Sequence, residues 1–144
     1  MLAGRRCLVT TVQSDSHTWN LIYMQLLIEE FGATVINLGG CAPVAETISA
    51  VKQNNPDLVV VSSVNGHGYF QGKELIEKVT QKFPKRQSTF VIGGKLSTSV
   101  DNEPSIDNDL RSAGYDAIFQ GIDAIPEFRK YLKCFSNAPL TAIQ

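Results

Sequence analysis

The stretch Leu58-Val59-Val60-Val61 is a continuous run of aliphatic residues, and Ser62-Ser63 follows it directly. A short apolar run without polar alternation predicts a β-strand that is covered on both faces, as strands are in a parallel sheet. Four further strands are predicted at Cys7–Val12, Thr34–Leu38, Thr89–Ile92 and Ala117–Phe119.

Segments with helical spacing separate these strands. The first predicted helix is Thr18–Phe31, because Gly32 is typical of a helix C-terminus, and Pro43 suits the first turn of the next helix. Three helices are indicated by apolar stripes at Val44, Ile48 and Val51, at Leu75, Ile76, Val79 and Phe83, and at Ile125, Phe128, Leu132 and Phe135. A polar loop at Leu96–Asp109 is predicted to lead into a short helix at Asp107–Ala113.

This alternation predicts an α/β fold of the flavodoxin-like, doubly wound type, with a five-stranded parallel sheet and helices on both faces. We predict the strand order 2-1-3-4-5, in which ligands bind outside the carboxyl ends of the strands, near the switch between the first and third. Asp15, His17 and Ser62 fall at that place. We divide the chain into a single domain, residues 1–135, and a tail, residues 136–144.

Composition and charge exclude several classes of function. The chain has 13 basic and 14 acidic residues, and only Lys82, Lys85 and Arg86 form a basic group, which argues against nucleic-acid binding. No apolar run approaches the ~20 residues of a membrane-spanning helix. The three cysteines are widely separated and odd in number, so we expect no disulfide framework and a cytoplasmic location.

The sequence Asp15-Ser16-His17 follows the first predicted strand and is a candidate metal site. An imidazole binds cobalt, iron or zinc through one nitrogen, and its other nitrogen usually donates to a carboxylate such as Asp15. The alternative is a polar turn in which Asp15 or Ser16 caps the following helix. We expect the other histidine, His67, to be exposed rather than catalytic.

Two further candidates follow the third and fourth predicted strands. The Ser62 hydroxyl could donate to a ring nitrogen or a phosphate, or it could satisfy loop backbone instead. The pair Gly93-Gly94 permits close approach of a ligand, or it could form an ordinary turn. A receiver aspartate, a flavodoxin phosphate loop, a P-loop and the G-x-G-x-x-G and G-x-S-x-G motifs are all missing from the sequence.

The first predicted helix is apolar nearly all round, at Leu21, Ile22, Met24, Leu26, Leu27 and Ile28. Such a helix is either deeply covered or meets a partner. We predict core packing, with partner contact near Trp19 and Tyr23 as the alternative.

Together these segments resemble the cobalamin-binding domain family. The family pattern is Asp-x-His-x-x-Gly after the first strand, Ser-x-Leu after the third and Gly-Gly after the fourth. Here it reads Asp15-Ser16-His17-Thr18-Trp19-Asn20, then Ser62-Ser63-Val64, then Gly93-Gly94. Asn20 therefore stands where the family has glycine, and Val64 where it has leucine. Within the family, the chain is similar to the small subunits of glutamate mutase, also called methylaspartate mutase.

The resemblance implies an adenosylcobalamin cofactor, with His17 as the lower axial ligand of its cobalt and Asp15 hydrogen-bonded to His17. It implies that the displaced nucleotide tail enters the sheet edge, where Ser62 bonds the benzimidazole and Gly93-Gly94 leaves room. The other residues implied to line the cofactor are Ser14, Ser16, Thr18, Ser63, Val64, Lys95, Leu96, Ser97, Thr98 and Ser99.

The implied function is that of the cobalamin-binding subunit of a carbon-skeleton mutase, an isomerase that converts L-glutamate to 3-methylaspartate. Such a subunit acts with a separate, large, barrel-type catalytic subunit, so we expect no activity from this chain alone. Three alternatives stay open: a corrinoid methyl carrier, a cobalamin-dependent sensor, and a flavodoxin-like interaction domain that has lost its cofactor. Asn20 is the best argument for the last of these.

Overall fold

The structure is a computed structural model that describes residues 2–98 and 103–137. In this part of the chain, five strands alternate with five helices. The strands are β1 (Arg6–Thr10), β2 (Thr34–Asn37), β3 (Leu58–Ser63), β4 (Thr89–Gly94) and β5 (Ala117–Phe119). The helices are α1 (Trp19–Glu30), α2 (Val44–Asn54), α3 (Gly68–Lys82), α4 (Glu103–Ala113) and α5 (Ala124–Asn137).

The five strands form one parallel sheet in the order β2-β1-β3-β4-β5. The predicted flavodoxin-like architecture and strand order are therefore confirmed. All six residues of β3 are buried, as expected for the central strand of a sheet covered on both faces. At the carboxyl ends, Ser62 lies opposite Gly93 and Ser63 opposite Gly94. The register thus brings two of the predicted site segments side by side.

A separate hydrophobic core covers each face of the sheet. On one face, α1 and α5 bury side chains such as Leu21 and Leu132 against the strands. On the other, α2, α3 and α4 bury side chains such as Val51, Ile76 and Leu110. The two cores explain why strands such as β3 are continuous apolar runs, because side chains on either face of the sheet enter a core.

Some element boundaries differ from the predictions. The helix α4 begins at Glu103, inside the stretch predicted as loop, and buries Ile106 and Leu110, whose spacing of four residues was the available signal. Strands β3 and β4 each continue through their polar ends to Ser63 and Gly94. The division at residues 135 and 136 stays a prediction, since α5 continues to Asn137 and residues 138–144 lie outside the described part.

The prediction of core packing for α1 is confirmed on one side of the helix only. Leu21, Met24, Leu27 and Ile28 are buried on one side of the helix. On the other side the large apolar residues are exposed. Trp19 is the most exposed of these apolar side chains, with 81% of its surface accessible. The exposed apolar residues of α1 are Trp19, Ile22, Tyr23 and Leu26. Contact of this side with a partner remains a prediction.

The three cysteines are free in the structure, and only Cys7 is buried. Burial is the main cause that raises the pKa of the Cys7 thiol to about 12, so this thiol stays protonated at neutral pH. Among the described helices, none has the length and apolar character needed to cross a membrane.

Candidate functional site

Asp15 is the buried centre of the loop between β1 and α1, and its side chain is 0% exposed. The backbone N–H of His17 donates to Oδ1 at 3.0 Å, and the His17 ring nitrogen Nδ1 lies 2.6 Å from the same oxygen. The Ser63 hydroxyl and the Val64 N–H both donate to Oδ2 at 2.8 Å. Two donors from the loop and two from the end of β3 therefore hold one carboxylate.

These contacts decide the charge of Asp15. Burial on its own would raise the pKa of the carboxyl group, because a charged group loses its hydration. The hydrogen bonds from His17, Val64 and Ser63 together outweigh burial and hold the pKa below its ordinary value. Asp15 is therefore an anion at neutral pH and accepts all four hydrogen bonds.

His17 has one nitrogen engaged and a largely exposed side chain, at 58% accessibility. Because Asp15 is ionised, it can only accept a hydrogen bond, so Nδ1 carries a proton and donates to it. In the neutral imidazole, the lone pair is then on Nε2. Neutral imidazole with one nitrogen bound to a carboxylate is the usual arrangement of a metal-binding histidine. The pair can thus present Nε2 to a metal.

The alternative interpretation, in which Asp15 or Ser16 caps α1, is wrong. The N-cap residue of α1 is Thr18, and no side chain caps this end of the helix. The Asp15 carboxylate instead accepts hydrogen bonds from the loop before α1 and from β3. Its interactions are therefore those of an anchor for His17.

Two neighbouring segments fix the loop from other sides. The Cys41 N–H, after β2, donates to the Asp15 carbonyl oxygen at 2.7 Å. The Ser14 hydroxyl donates to Gln71 Oε1 at 2.7 Å and accepts from Asn65 Nδ2 at 3.0 Å. Ser14, predicted to line the cofactor, therefore has its hydroxyl engaged with other protein groups.

An apolar cavity of about 320 Å³ lies beside this loop, at the carboxyl ends of β3, β4 and β5 and against α1 and α5. Its volume is at the lower end of the roughly 300–1,000 Å³ typical of small-molecule sites. The lining includes four residues named from the sequence, Ser62, Val64, Gly93 and Gly94. The remaining lining residues are Asn20, Tyr23, Met24, Val60, Val61, Val91, Ile92, Phe119, Ala124, Ile125 and Phe128.

Gly93 and Gly94 are required by the sheet itself. A Cβ atom on Gly93 would lie 2.9 Å from the Phe119 carbonyl oxygen. Gly94 has φ of +112°, and a Cβ atom there would overlap the Ser63 carbonyl oxygen. Both residues lie within β4, so the interpretation as an ordinary turn is wrong. Glycine is needed at both positions because neighbouring backbone approaches closely. The pair also forms part of the cavity wall.

Asn20 and Ser62 are joined at the wall of the apolar cavity. Asn20 Nδ2 donates to Ser62 Oγ at 3.1 Å and to the Ser62 carbonyl oxygen at 3.3 Å. The Asn20 Oδ1 atom is buried and has no hydrogen-bond partner in the described part of the chain. An unsatisfied buried acceptor costs on the order of 1–3 kcal/mol. Among the described residues, the Ser62 hydroxyl makes no hydrogen bond to loop backbone, so that alternative interpretation finds no support there.

A second, open cavity of about 450 Å³ surrounds the histidine. Its lining brings together four residues named from the sequence, Ser16, His17, Thr18 and Val64, with Trp19 and Asn20. Asn20 and Val64 line both cavities, so the imidazole and the apolar cavity are adjacent.

The segment after β4 is not part of either cavity. The side chain of Leu96 is 1% exposed and belongs to the core against α2, α3 and α4, and it lines neither cavity. The Lys95 carbonyl oxygen accepts a hydrogen bond from the Gly66 N–H at 3.2 Å. Lys95, Ser97 and Thr98 line neither cavity, and Ser99 lies outside the described residues. Roles for Lys95, Leu96, Ser97, Thr98 and Ser99 remain predictions.

The sequence did not identify most of the apolar cavity wall. Phe119 at the end of β5 and Phe128 on α5 line it and are in edge-to-face contact, with ring centroids 5.3 Å apart. The apolar stripe of α5 pointed to core packing and did not reveal that one end of the stripe borders a cavity. His67, in contrast, is exposed as predicted.

Similarity to curated proteins extends over most of the chain. The glutamate mutase sigma subunit of Fusobacterium nucleatum is 25% identical over 119 residues, which are 83% of this chain and 87% of that subunit. The glutamate mutase sigma subunit of Halobacterium salinarum is 26% identical over 118 residues, covering 80% of this chain and 78% of that subunit.

A solved structure supports the fold. The cobalamin-binding protein from Desulfitobacterium hafniense has a TM-score of 0.69 at 20% sequence identity. The match covers 93% of this chain but 58% of that protein, so the chain corresponds to little more than half of it. The sequence pattern described as B12 binding domain matches residues 5–129. This match covers most of the sequence, and the chain therefore belongs to the B12-binding domain family.

Proposed function

We propose that this chain is the cobalamin-binding subunit of an adenosylcobalamin-dependent carbon-skeleton mutase, an isomerase. It acts with a separate, large, barrel-type catalytic subunit in the cytoplasm and interconverts L-glutamate and 3-methylaspartate. The names of the relatives, glutamate mutase sigma subunits, support the reaction and the partner. Membership in the B12-binding domain family supports the cofactor.

The observation that carries the proposal is the contact of 2.6 Å between His17 Nδ1 and Asp15 Oδ1. Asp15 is fixed by donors from β3, so the imidazole has a defined tautomer and a restrained position. A carboxylate on the second nitrogen raises the basicity of a ligating histidine. The residues present fit a cobalamin whose cobalt is held by Nε2 of His17.

The adjacent apolar cavity supports a cofactor that has both a metal and an aromatic arm. Its wall is mostly aliphatic and aromatic, with the Ser62 hydroxyl as a polar group. Such a lining suits a flat heteroaromatic ring with few polar atoms. Because Asn20 and Val64 line both cavities, one molecule could place its metal over His17 and its detached nucleotide arm in the apolar cavity.

When bound, adenosylcobalamin supplies a cobalt–carbon bond whose homolysis starts hydrogen abstraction from the substrate. The residues of this chain hold and orient the cofactor: His17 binds the cobalt, Asp15 orients His17, and the apolar cavity fixes the nucleotide arm. Substrate binding is assigned to the large subunit, so the chain alone is inactive.

The first test is the visible spectrum of the purified chain with adenosylcobalamin, together with the EPR spectrum of bound cob(II)alamin. We expect a base-off spectrum with nitrogen hyperfine coupling that disappears in His17→Ala. His67→Ala is the matched control, because His67 is the other histidine of the chain and is exposed. Equal loss of the coupling in both variants, or its persistence in His17→Ala, would contradict ligation by His17.

The second test adds a large subunit of glutamate mutase to the cobalamin-loaded chain and measures 3-methylaspartate formed from L-glutamate. We expect product with both subunits and none with either alone. Histidine ligation without product, but with transfer of a methyl group from methylcobalamin to a methyltransferase, would favour the corrinoid methyl carrier.

A further inference from the structure

We propose that Asn20 is a positioning residue that leaves the Ser62 hydroxyl proton free for a ligand in the apolar cavity. The family resemblance implies that Ser62 bonds the aromatic base of the nucleotide, and a free hydroxyl proton suits a base that carries an unprotonated ring nitrogen. The new element is the role of Asn20. This inference rests on the proposed function, since the base is the lower base of the cobamide nucleotide. It concerns a position at which the chain departs from the glycine of the family pattern.

The orientation of the Asn20 amide follows from its two contacts. Nδ2 lies 3.3 Å from the Ser62 carbonyl oxygen and 3.1 Å from Ser62 Oγ. A backbone carbonyl can only accept hydrogen bonds, so the group that faces it must be the NH₂ end of the amide. The reverse orientation would bring two carbonyl oxygens together.

This amide orientation sets the role of the Ser62 hydroxyl. A hydroxyl has one proton to donate and two lone pairs, and Asn20 uses a lone pair. In the described part of the chain, the hydroxyl makes no hydrogen bond other than this one. Ser62 is 7% exposed and lines the apolar cavity, so its proton is available to a ligand there.

The other end of the Asn20 amide shows that the contact with Ser62 is its main polar interaction. Oδ1 is buried without a hydrogen-bond partner among the described residues. The side chain is therefore held by the hydrogen bonds that its NH₂ group donates to Ser62. A residue that fills space alone would need no amide at this place.

The test measures the affinity of the chain for three corrinoids that differ only below the ring. These are cobalamin, whose base has a ring nitrogen, a cresolyl cobamide, whose base has none, and cobinamide, which lacks the nucleotide. Each is titrated into the wild-type chain, Asn20→Ala, Ser62→Ala and the double variant. Binding is followed by the visible spectrum, and the histidine-ligated spectrum serves as the check on the fold.

We expect each single substitution to weaken cobalamin binding by about three- to tenfold, as for the loss of one hydrogen bond. The double variant should bind cobalamin about as weakly as Ser62→Ala, because both substitutions remove the same interaction. Affinities for the cresolyl cobamide and cobinamide should stay within about twofold of wild type. Asn20→Asp, which has no NH₂ group, should behave like Asn20→Ala.

Equal loss of affinity for all three corrinoids in Asn20→Ala would overturn the inference, because it would assign Asn20 a structural role. Tighter cobalamin binding by Asn20→Ala would also overturn it, since the side chain would then crowd the base. Additive losses in the double variant would do the same. If the folded wild-type chain bound none of the three corrinoids, alone or with a large subunit, the proposed function would fail and this inference with it.

Discussion

The His17 loop, residues 11–18, and the apolar cavity lie side by side but are held by different forces. The loop carries an exposed imidazole that is fixed through hydrogen bonds to one buried carboxylate, Asp15. The cavity is enclosed by strand ends and helices, and its glycines allow backbone segments to approach closely. One half of the site depends on a charge, and the other depends on the absence of two side chains.

Because of this difference, the two halves of the site should respond differently to substitution and to pH. Hydrogen bonds to a carboxylate can be removed by a proton or by an isosteric amide, with the backbone left in place. Steric overlap is independent of pH and is relieved only by moving strands. Substitutions in each half, with matched controls elsewhere, can therefore distinguish the loss of hydrogen bonds to Asp15 from steric overlap at the glycines.

The largest effect is expected from Gly94→Ala. The new Cβ atom would overlap the Ser63 carbonyl oxygen, and φ is +112°. We expect the free energy of unfolding to fall by more than about 3 kcal/mol, measured by urea denaturation. Gly4→Ala is the control, because Gly4 has φ of +82° but open space around it, and should lose about 1–2 kcal/mol. Equal losses would show that backbone strain, and not overlap, dominates.

The next effect is expected from Asp15→Asn. The amide keeps the shape of the side chain but turns one acceptor oxygen into a donor that faces buried donors. We expect a loss of about 2–3 kcal/mol in the free energy of unfolding and loss of His17 ligation in the EPR spectrum. The control is Asp107→Asn, which breaks only an exposed pair with Arg111 and should cost about 0.5 kcal/mol or less. Retained ligation in Asp15→Asn would contradict the anchoring role.

Acid should weaken the loop and leave the cavity unchanged. The folded-state pKa of Asp15 lies below its ordinary value of about 3.9, so its stabilising contribution is complete above that pH. The contribution is lost as the pH falls through the folded-state pKa. We therefore expect the difference in unfolding free energy between wild type and Asp15→Asn to shrink between pH 6 and pH 3. The difference between Gly94→Ala and Gly4→Ala should stay constant over the same range.

The smallest effect is expected from Thr18→Ala. Thr18 is the N-cap residue of α1, but its side chain makes no capping hydrogen bond. Removal of a working threonine cap costs about 1 kcal/mol, whereas we expect a change within about 0.5 kcal/mol here. Thermal unfolding of the two proteins measures the difference. A loss of 1 kcal/mol or more would show that Thr18 contributes to the loop as well as to the helix end.

The sheet and its strand order could be predicted because buried parallel strands have a recognisable local sequence pattern. Continuous apolar runs such as Leu58–Val61 identified the strands, and the polar residues after them pointed to the carboxyl edge. The contact between Asp15 and His17 could also be predicted from the sequence, because the two residues are only two positions apart, within one turn. The boundaries of β3 and β4 were missed because polar and glycine residues there still pair within the sheet.

Other features depend on residues far apart in the sequence. Ser63 and Val64 were expected to line a cofactor, yet both donate to Asp15, 48 and 49 positions away. Asn20 was noted as a departure from a motif, but its contact with Ser62 depends on how α1 packs over β3. The full exposed side of α1 could not be predicted, because apolar residues on all sides of a helix do not reveal which side meets the sheet.

The two halves of the site are also synthesised at different times, because a ribosome makes the chain from its amino end. Within the described part of the chain, every group that hydrogen-bonds to Asp15 belongs to the first 64 residues, from His17 through Cys41 to Val64. The cavity requires Gly93, Phe119 and Phe128, which are synthesised later. At the roughly 5–20 residues per second of synthesis, the partners of the His17 loop are available several seconds before the cavity wall. The half of the site that contains Asp15 and His17 is therefore made before the half that contains the apolar cavity.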